Sequence, residues 1–189
     1  MRPSIADPAV RDFDDPHLVV VNRRASDHAT LAIFLPSMGG RPENVLCLLS
    51  VIASQGYRAI GLEYNDTSAV VRVCVRDPDP QCAGEFRRER IFGDVEYAPV
   101  SNSLKESIVH RLVMLLRHLD RVDPGGDWRQ YLAGDEPAWP KIVVSGLSQG
   151  AGMAASKRRP VARVVLFSSP WDFYVLQWQW RYGSASELN

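Results

Sequence analysis

The chain has 189 residues, with 22 basic and 22 acidic side chains and no net formal charge. That is about one ordinary domain, and 46% hydrophobic against 23% charged residues excludes wholesale disorder. Zero net charge provides no whole-molecule attraction to nucleic acid or an anionic membrane, and no apolar run approaches the roughly 18 residues of a membrane span.

Residues 1–16 carry Pro3, Pro8, Pro16 and four aspartates, and read as a loose lead-in to a single domain over 17–189. They hold no apolar signal core, so the chain as written reads as cytoplasmic. Residues 18–21 and 31–35 are apolar and β-like, the second run continuous as in a strand buried on both faces. Pro36-Ser37-Met38-Gly39-Gly40 breaks it. Val45, Leu48, Leu49 and Ile52 recur at helical spacing over 42–54, Cys47 in that run reads as a buried small hydrophobe, and Gly56 is a natural stop. Residues 58–63 form the next strand, which completes a βαβ unit.

Residues 64–100 read as an irregular polar excursion. Cys74 and Cys82 lie eight apart across Asp77-Pro78-Asp79-Pro80, and their spacing alone leaves a disulfide and two free thiols both open. The three cysteines have no metal-ligand spacing, and no metal or cofactor is expected. Ser103 with Glu106 reads as a capping box for a helix that lines Leu104, Ile108, Leu112, Leu115, Leu116 and Leu119 on one face. Asp123-Pro124-Gly125-Gly126 ends it. After a polar segment come a strand at 142–145, a short helix at 149–158 and a strand at 161–167. The alternation predicts a doubly wound, mostly parallel α/β domain. The short basic runs Arg87-Arg88, Arg90 and Lys157-Arg158-Arg159 read as solvated surface rather than a nucleic-acid contact.

The strand at 142–145 runs into Gly146-Leu147-Ser148-Gln149-Gly150, a G-x-S-x-G motif between a strand and a helix. So tight a turn holds its serine in a strained conformation with the hydroxyl projecting above the sheet. Side chains two residues either side would collide with the neighbouring strand or helix, so both must be small; here they are Gly146 and Gly150. The N–H of Gln149 then faces the spot where negative charge would develop, one expected oxyanion donor. The second is expected from the loop after the strand at 31–35, at the N–H of Met38 or of its neighbour Ser37.

The order strand, LPSMGG, helix, strand, excursion, helix, strand, GLSQG, helix, strand resembles the N-terminal two-thirds of an α/β-hydrolase, ending after the strand that follows the nucleophile helix. More narrowly, Cys74 with Cys82, Arg88-Glu89-Arg90-Ile91, residues 107–112, 145–150 and 161–167 are similar to a little-described group of secreted or secretory-pathway α/β-hydrolase-like proteins. The superfamily resemblance implies hydrolysis of a carboxylic ester or related acyl bond by a Ser–His–Asp/Glu triad, with Ser148 as nucleophile and a small-molecule ester as substrate. The narrower one implies export and a Cys74–Cys82 disulfide, without a known substrate.

In this fold the triad runs nucleophile, acid, histidine along the chain. His17, His28, His110 and His118 all precede Ser148. Each reads as a surface or helix-flank histidine, so the hydrolase is expected to be impaired. Asp172 stands where some α/β-hydrolases carry their acid; its plainer reading is a loop aspartate. The alternative to an enzyme is a non-catalytic domain of the same descent, inert or serving as a binding module. Trp171, Phe173, Tyr174, Trp178, Trp180 and Tyr182 crowd the tail and make it a candidate for self-association.

Overall fold

The structure is a computed structural model that describes residues 1–25, 29–94, 102–156 and 160–168, together with the backbone of two short strands near the C-terminus. Its centre is a five-stranded sheet. The strands are β1 (Leu18–Val20), β2 (Leu31–Leu35), β3 (Arg58–Gly61), β6 (Ile142–Leu147) and β7 (Arg163–Phe167), in the order β1-β3-β2-β6-β7. Only β1 runs antiparallel; β3, β2, β6 and β7 are parallel to one another. The sheet is therefore mixed and mostly parallel, and the chain is of the α/β class. Short antiparallel pairs lie outside it: β4 (Leu132–Ala133) with β5 (Glu136–Pro137), and β8 (Phe173–Tyr174) with β9 (Gln177–Trp178).

The side-chain alternation of β2 shows how helices come to cover both faces. Leu31, Ile33 and Leu35 point to one side, where they join Ile60, Leu62, Ile142 and Val144. That side is closed by α4 (Cys82–Phe92), α5 (Ile108–Val122) and α6 (Gln149–Ala155), through Phe86, Leu112, Leu115, Leu116 and Met153. Phe34 points to the other side and meets Ala59 and Leu49 of α2 (Leu46–Ser54). A continuous apolar run is what a strand buried on both faces requires, and all five residues of β2 are buried.

Several sequence expectations are corrected. The lead-in is not loose: α1 (Pro3–Ala6) packs on α5, Ala6 and Val10 are buried, and the Met1 amino group donates to the His17 carbonyl at 2.8 Å. Cys47 is exposed, because α2 turns Leu49 and Ala53, four residues apart, to the sheet and leaves position 47 outside. The excursion is partly helical, with α3 (Val70–Val73) and α4 joined by a Cys74–Cys82 disulfide. Arg87 and Arg90 are buried rather than solvated. Ser103 is not a side-chain cap and Leu104 is exposed; 104–106 form a 3₁₀ turn, and Ser107 caps α5 by accepting from the His110 N–H at 3.2 Å. The basic run 157–159 and the aromatic side chains of 171–182 lie outside the described residues. Among the described residues no helix is long and apolar enough to cross a membrane, and no cluster of metal-ligating side chains occurs.

Candidate functional site

In the parallel part of the sheet, β2, β3, β6 and β7 end at one edge, where an open α/β sheet places ligands. Ser148 follows β6 there, at φ 52° and ψ −113°. Among the described residues five other non-glycine positions have positive φ, but of these six only Ser148 joins a strand directly to a helix. The conformation is unfavourable for an L-residue. It is held because the Ser148 N–H donates to the Phe167 carbonyl of β7 at 2.8 Å, while its carbonyl accepts from Gly152 of α6 at 3.1 Å. The residue is exposed, and its hydroxyl makes no hydrogen bond among the described residues.

The flanking glycines are sterically required. A Cβ on Gly146 would stand 2.4 Å from the Gly150 carbonyl group. A Cβ on Gly150 would stand 2.1 Å from the Leu35 carbonyl oxygen and 2.5 Å from that of Pro36. The start of α6 is thus pressed against the end of β2, which brings the Ser148 turn beside the loop that begins at Pro36.

That loop is a tight turn. The Gly40 N–H donates to the Ser37 carbonyl at 2.8 Å, and Gly39 sits at φ 68° in the third position, where a type II turn demands glycine. The turn leaves the Met38 N–H without a hydrogen bond among the described residues. Gln149 opens α6, so its N–H has no partner within the helix. Ser148, Gln149 and Met38 therefore share one corner of the sheet edge. Cys74 and Cys82 are bonded to each other, with Cα atoms 5.7 Å apart, and the disulfide pins the start of α4.

The histidines are engaged elsewhere. His17 is buried, which corrects its reading as a surface residue, and its Nδ1 accepts from the Glu63 N–H at 2.9 Å. It adjoins β1, three strand spacings from β6, or roughly 14 Å at about 4.8 Å per spacing. Burial, with the nearby Arg111 charge, pulls its pKa down to about 3, so it is neutral. His110 Nε2 lies 2.7 Å from Asp7 Oδ2, a pairing that holds the Asp7 carboxyl below its usual range. His118 stands on the second half of α5. His28 and Asp172 lie outside the described residues.

Sequence reasoning missed a set of buried polar residues just past β3. Glu63 and Asp66 are both buried. Burial, reinforced by the Asp66 and Asp15 carboxylates, pushes Glu63 up to about 8. Burial also raises Asp66, against the opposing pull of backbone N–H groups, Gly40 foremost, and of Arg90. Tyr64 is fully buried and donates its hydroxyl to the Pro36 carbonyl at 2.8 Å. The signal was available in the position of Glu63-Tyr64-Asn65-Asp66, at the C-terminal end of a parallel strand.

No protein-family model matches the chain, and no curated protein matches it.

Proposed function

We propose that the chain is an α/β-hydrolase-like serine hydrolase acting on a carboxylic ester or a related acyl bond. The observation that carries this reading is Ser148: exposed, at φ 52° between β6 and α6, with glycines at 146 and 150 that admit no side chain. That combination is costly to maintain and has a use in presenting a nucleophile. Ser148 Oγ attacks the carbonyl carbon, and the carbonyl oxygen takes up the negative charge. The N–H groups of Gln149 and Met38 receive it while the Ser148 proton passes to solvent water; collapse of the adduct expels the alkoxide, which takes a proton from water, and a second water cleaves the acyl-serine to the acid and free Ser148.

A serine hydroxyl needs a base to take its proton. Among the described residues no histidine is placed to do so. Turnover by this chain is therefore slow, at the level an oxyanion hole supports without a complete triad. The same observation favours a second reading, a non-catalytic domain that retains the elbow and binds rather than cleaves. We propose likewise that the chain belongs to that secreted group and self-associates through its aromatic tail.

Steady-state hydrolysis of p-nitrophenyl acetate and butyrate separates the two. The enzyme reading predicts release above the buffer rate that disappears in Ser148→Ala. Equal rates for the two proteins select the non-catalytic domain.

A further inference from the structure

The strand order of the main sheet ends at β7, and among the described residues no strand pairs with its outer edge. The Phe167 carbonyl accepts from the Ser148 N–H, on the β6 side. Peptide groups along a strand point to alternate edges, so Arg163, Val165 and Phe167 bond toward β6. Val164 and Leu166 then turn an N–H and a C=O each away from the sheet. Side chains alternate as well. Arg163, Val165 and Phe167 share the face toward α2, where they line a groove with Ala32, Ile52 and Val143. Val164 packs against the core cluster on the opposite face.

This edge lacks the features that keep sheet edges apart. Val164-Val165-Leu166-Phe167 carries no charge and no proline. Leu166 and Phe167 are 36% and 40% exposed. The strand at the other edge, β1, has only three residues.

A second copy of the same strand fits the edge. Antiparallel pairing about a two-fold axis at Val165 sets Val164 opposite Leu166 of the second copy, and Leu166 opposite its Val164. Each pair exchanges both of its hydrogen bonds, so every outward group of Val164 and Leu166 is met. A two-fold axis at Val164 or at Leu166 pairs that residue with itself and sets the other against a position outside β7. The side chains agree with the Val165 register. Arg163 falls opposite Phe167 of the second copy, a cation beside an aromatic ring, Val165 falls opposite itself, and no like charges meet. The edge is thus self-complementary, as a two-fold interface requires.

We propose that β7 is a homodimer edge, through which two copies pair antiparallel over residues 163–167 and join their five-stranded sheets into one. The contact is separate from the aromatic tail and independent of the hydrolase reading. It braces the strand whose Phe167 carbonyl holds the Ser148 N–H.

The test uses the full chain with the exposed thiol of Cys47 removed as Cys47→Ser. Sedimentation velocity over a range of concentrations gives the dimer dissociation constant. Leu166→Pro removes an N–H that the β6 ladder does not use, a position where an edge strand tolerates proline. It is expected to weaken dimerisation about tenfold or more, with the far-UV circular dichroism unchanged. Leu166→Lys, a charge on the edge, is expected to do the same and replaces the proline variant if that fails to fold. Cysteine substitution reads the register. Val165→Cys lies opposite itself in a pair with Cα atoms about 4.5 Å apart, within disulfide reach. Arg163→Cys lies roughly 14 Å from its counterpart, four residues along at about 3.4 Å each. Oxidation should therefore convert Val165→Cys into a covalent dimer and leave Arg163→Cys uncrosslinked. A chain that stays monomeric at every concentration overturns the proposal. Equal crosslinking at the two positions also overturns it, as does a dimer that both Leu166 variants leave intact; loss of that dimer in Trp178→Ser would assign it to the tail. Should neither Leu166 variant fold, the crosslink decides alone.

Discussion

Ser148 is held at φ 52° and ψ −113°, where an ordinary side chain costs of order 1–3 kcal/mol of backbone strain. Glycine adopts that conformation freely. Ser148→Gly is therefore expected to raise stability by about 1 kcal/mol in urea denaturation, after its looser unfolded state is counted, while Ser148→Ala stays near the parent. A less stable glycine variant contradicts the strain. Glu63 supports a second prediction. Its ordinary pKa is 4.5 and its folded value about 8, so the folded state holds a proton that the unfolded state has released across that window. Its contribution is fully present below pH 4.5 and is lost as pH rises through 8. Glu63→Gln has no such loss. Its stability relative to the parent should grow by about 1 kcal/mol per pH unit between pH 5 and 7 and level off above 8, less than the ~1.4 of a fully shielded proton. A difference that does not change with pH contradicts it. At this scale Ser148 and its glycines were legible in the sequence because a local motif states them. Glu63, His17 and Asp66 were not, because their burial is imposed by distant segments that sequence periodicity does not report.

At the scale of elements, α4 and α5 show why part of the fold escaped the sequence. Residues 82–92 include Arg87, Arg88, Glu89 and Arg90, a composition that suggests solvent, yet Arg87, Glu89 and Arg90 are buried alongside the core residues Phe86 and Ile91. Apolar periodicity cannot find a helix that buries charge. The long helix α5 was legible from its leucines, but its cap was misplaced by four residues, since Ser103 and Ser107 both precede a plausible first turn. Arg111 links α5 to the N-terminal segment. It donates to the Asp12 carbonyl at 2.6 Å and the Phe13 carbonyl at 2.8 Å, and it pairs with Glu106. Its side chain is fully buried. Arg111→Ala strands the Glu106 carboxylate and frees those carbonyls, so it should cost about 3–5 kcal/mol in urea denaturation. Protection of 11–14 in hydrogen exchange should fall with it. A loss under about 1 kcal/mol contradicts the role of Arg111 as the tie.

For the whole molecule, the order of strands and helices was legible. Each buried strand of a parallel sheet is a short continuous apolar run, and each crossover begins and ends on glycine, proline or a cap. The sheet order was not legible, because register and neighbours are set by packing between segments far apart in the chain. The α/β architecture brings Ser148, Gln149 and Met38 to one edge, and it keeps the described histidines away from that edge or bound to other partners. The central proposal is that this edge presents Ser148 as a nucleophile beside two oxyanion donors. Its most direct test is incubation of the folded chain with a fluorophosphonate, followed by intact mass and fragmentation of the tryptic peptide 142–157, which holds Ser145, Ser148 and Ser156. The account predicts slow labelling approaching one adduct per chain, located on Ser148, absent in Ser148→Ala and lost when the protein is unfolded in urea. No adduct, or equal labelling of the folded and unfolded chains, would contradict it.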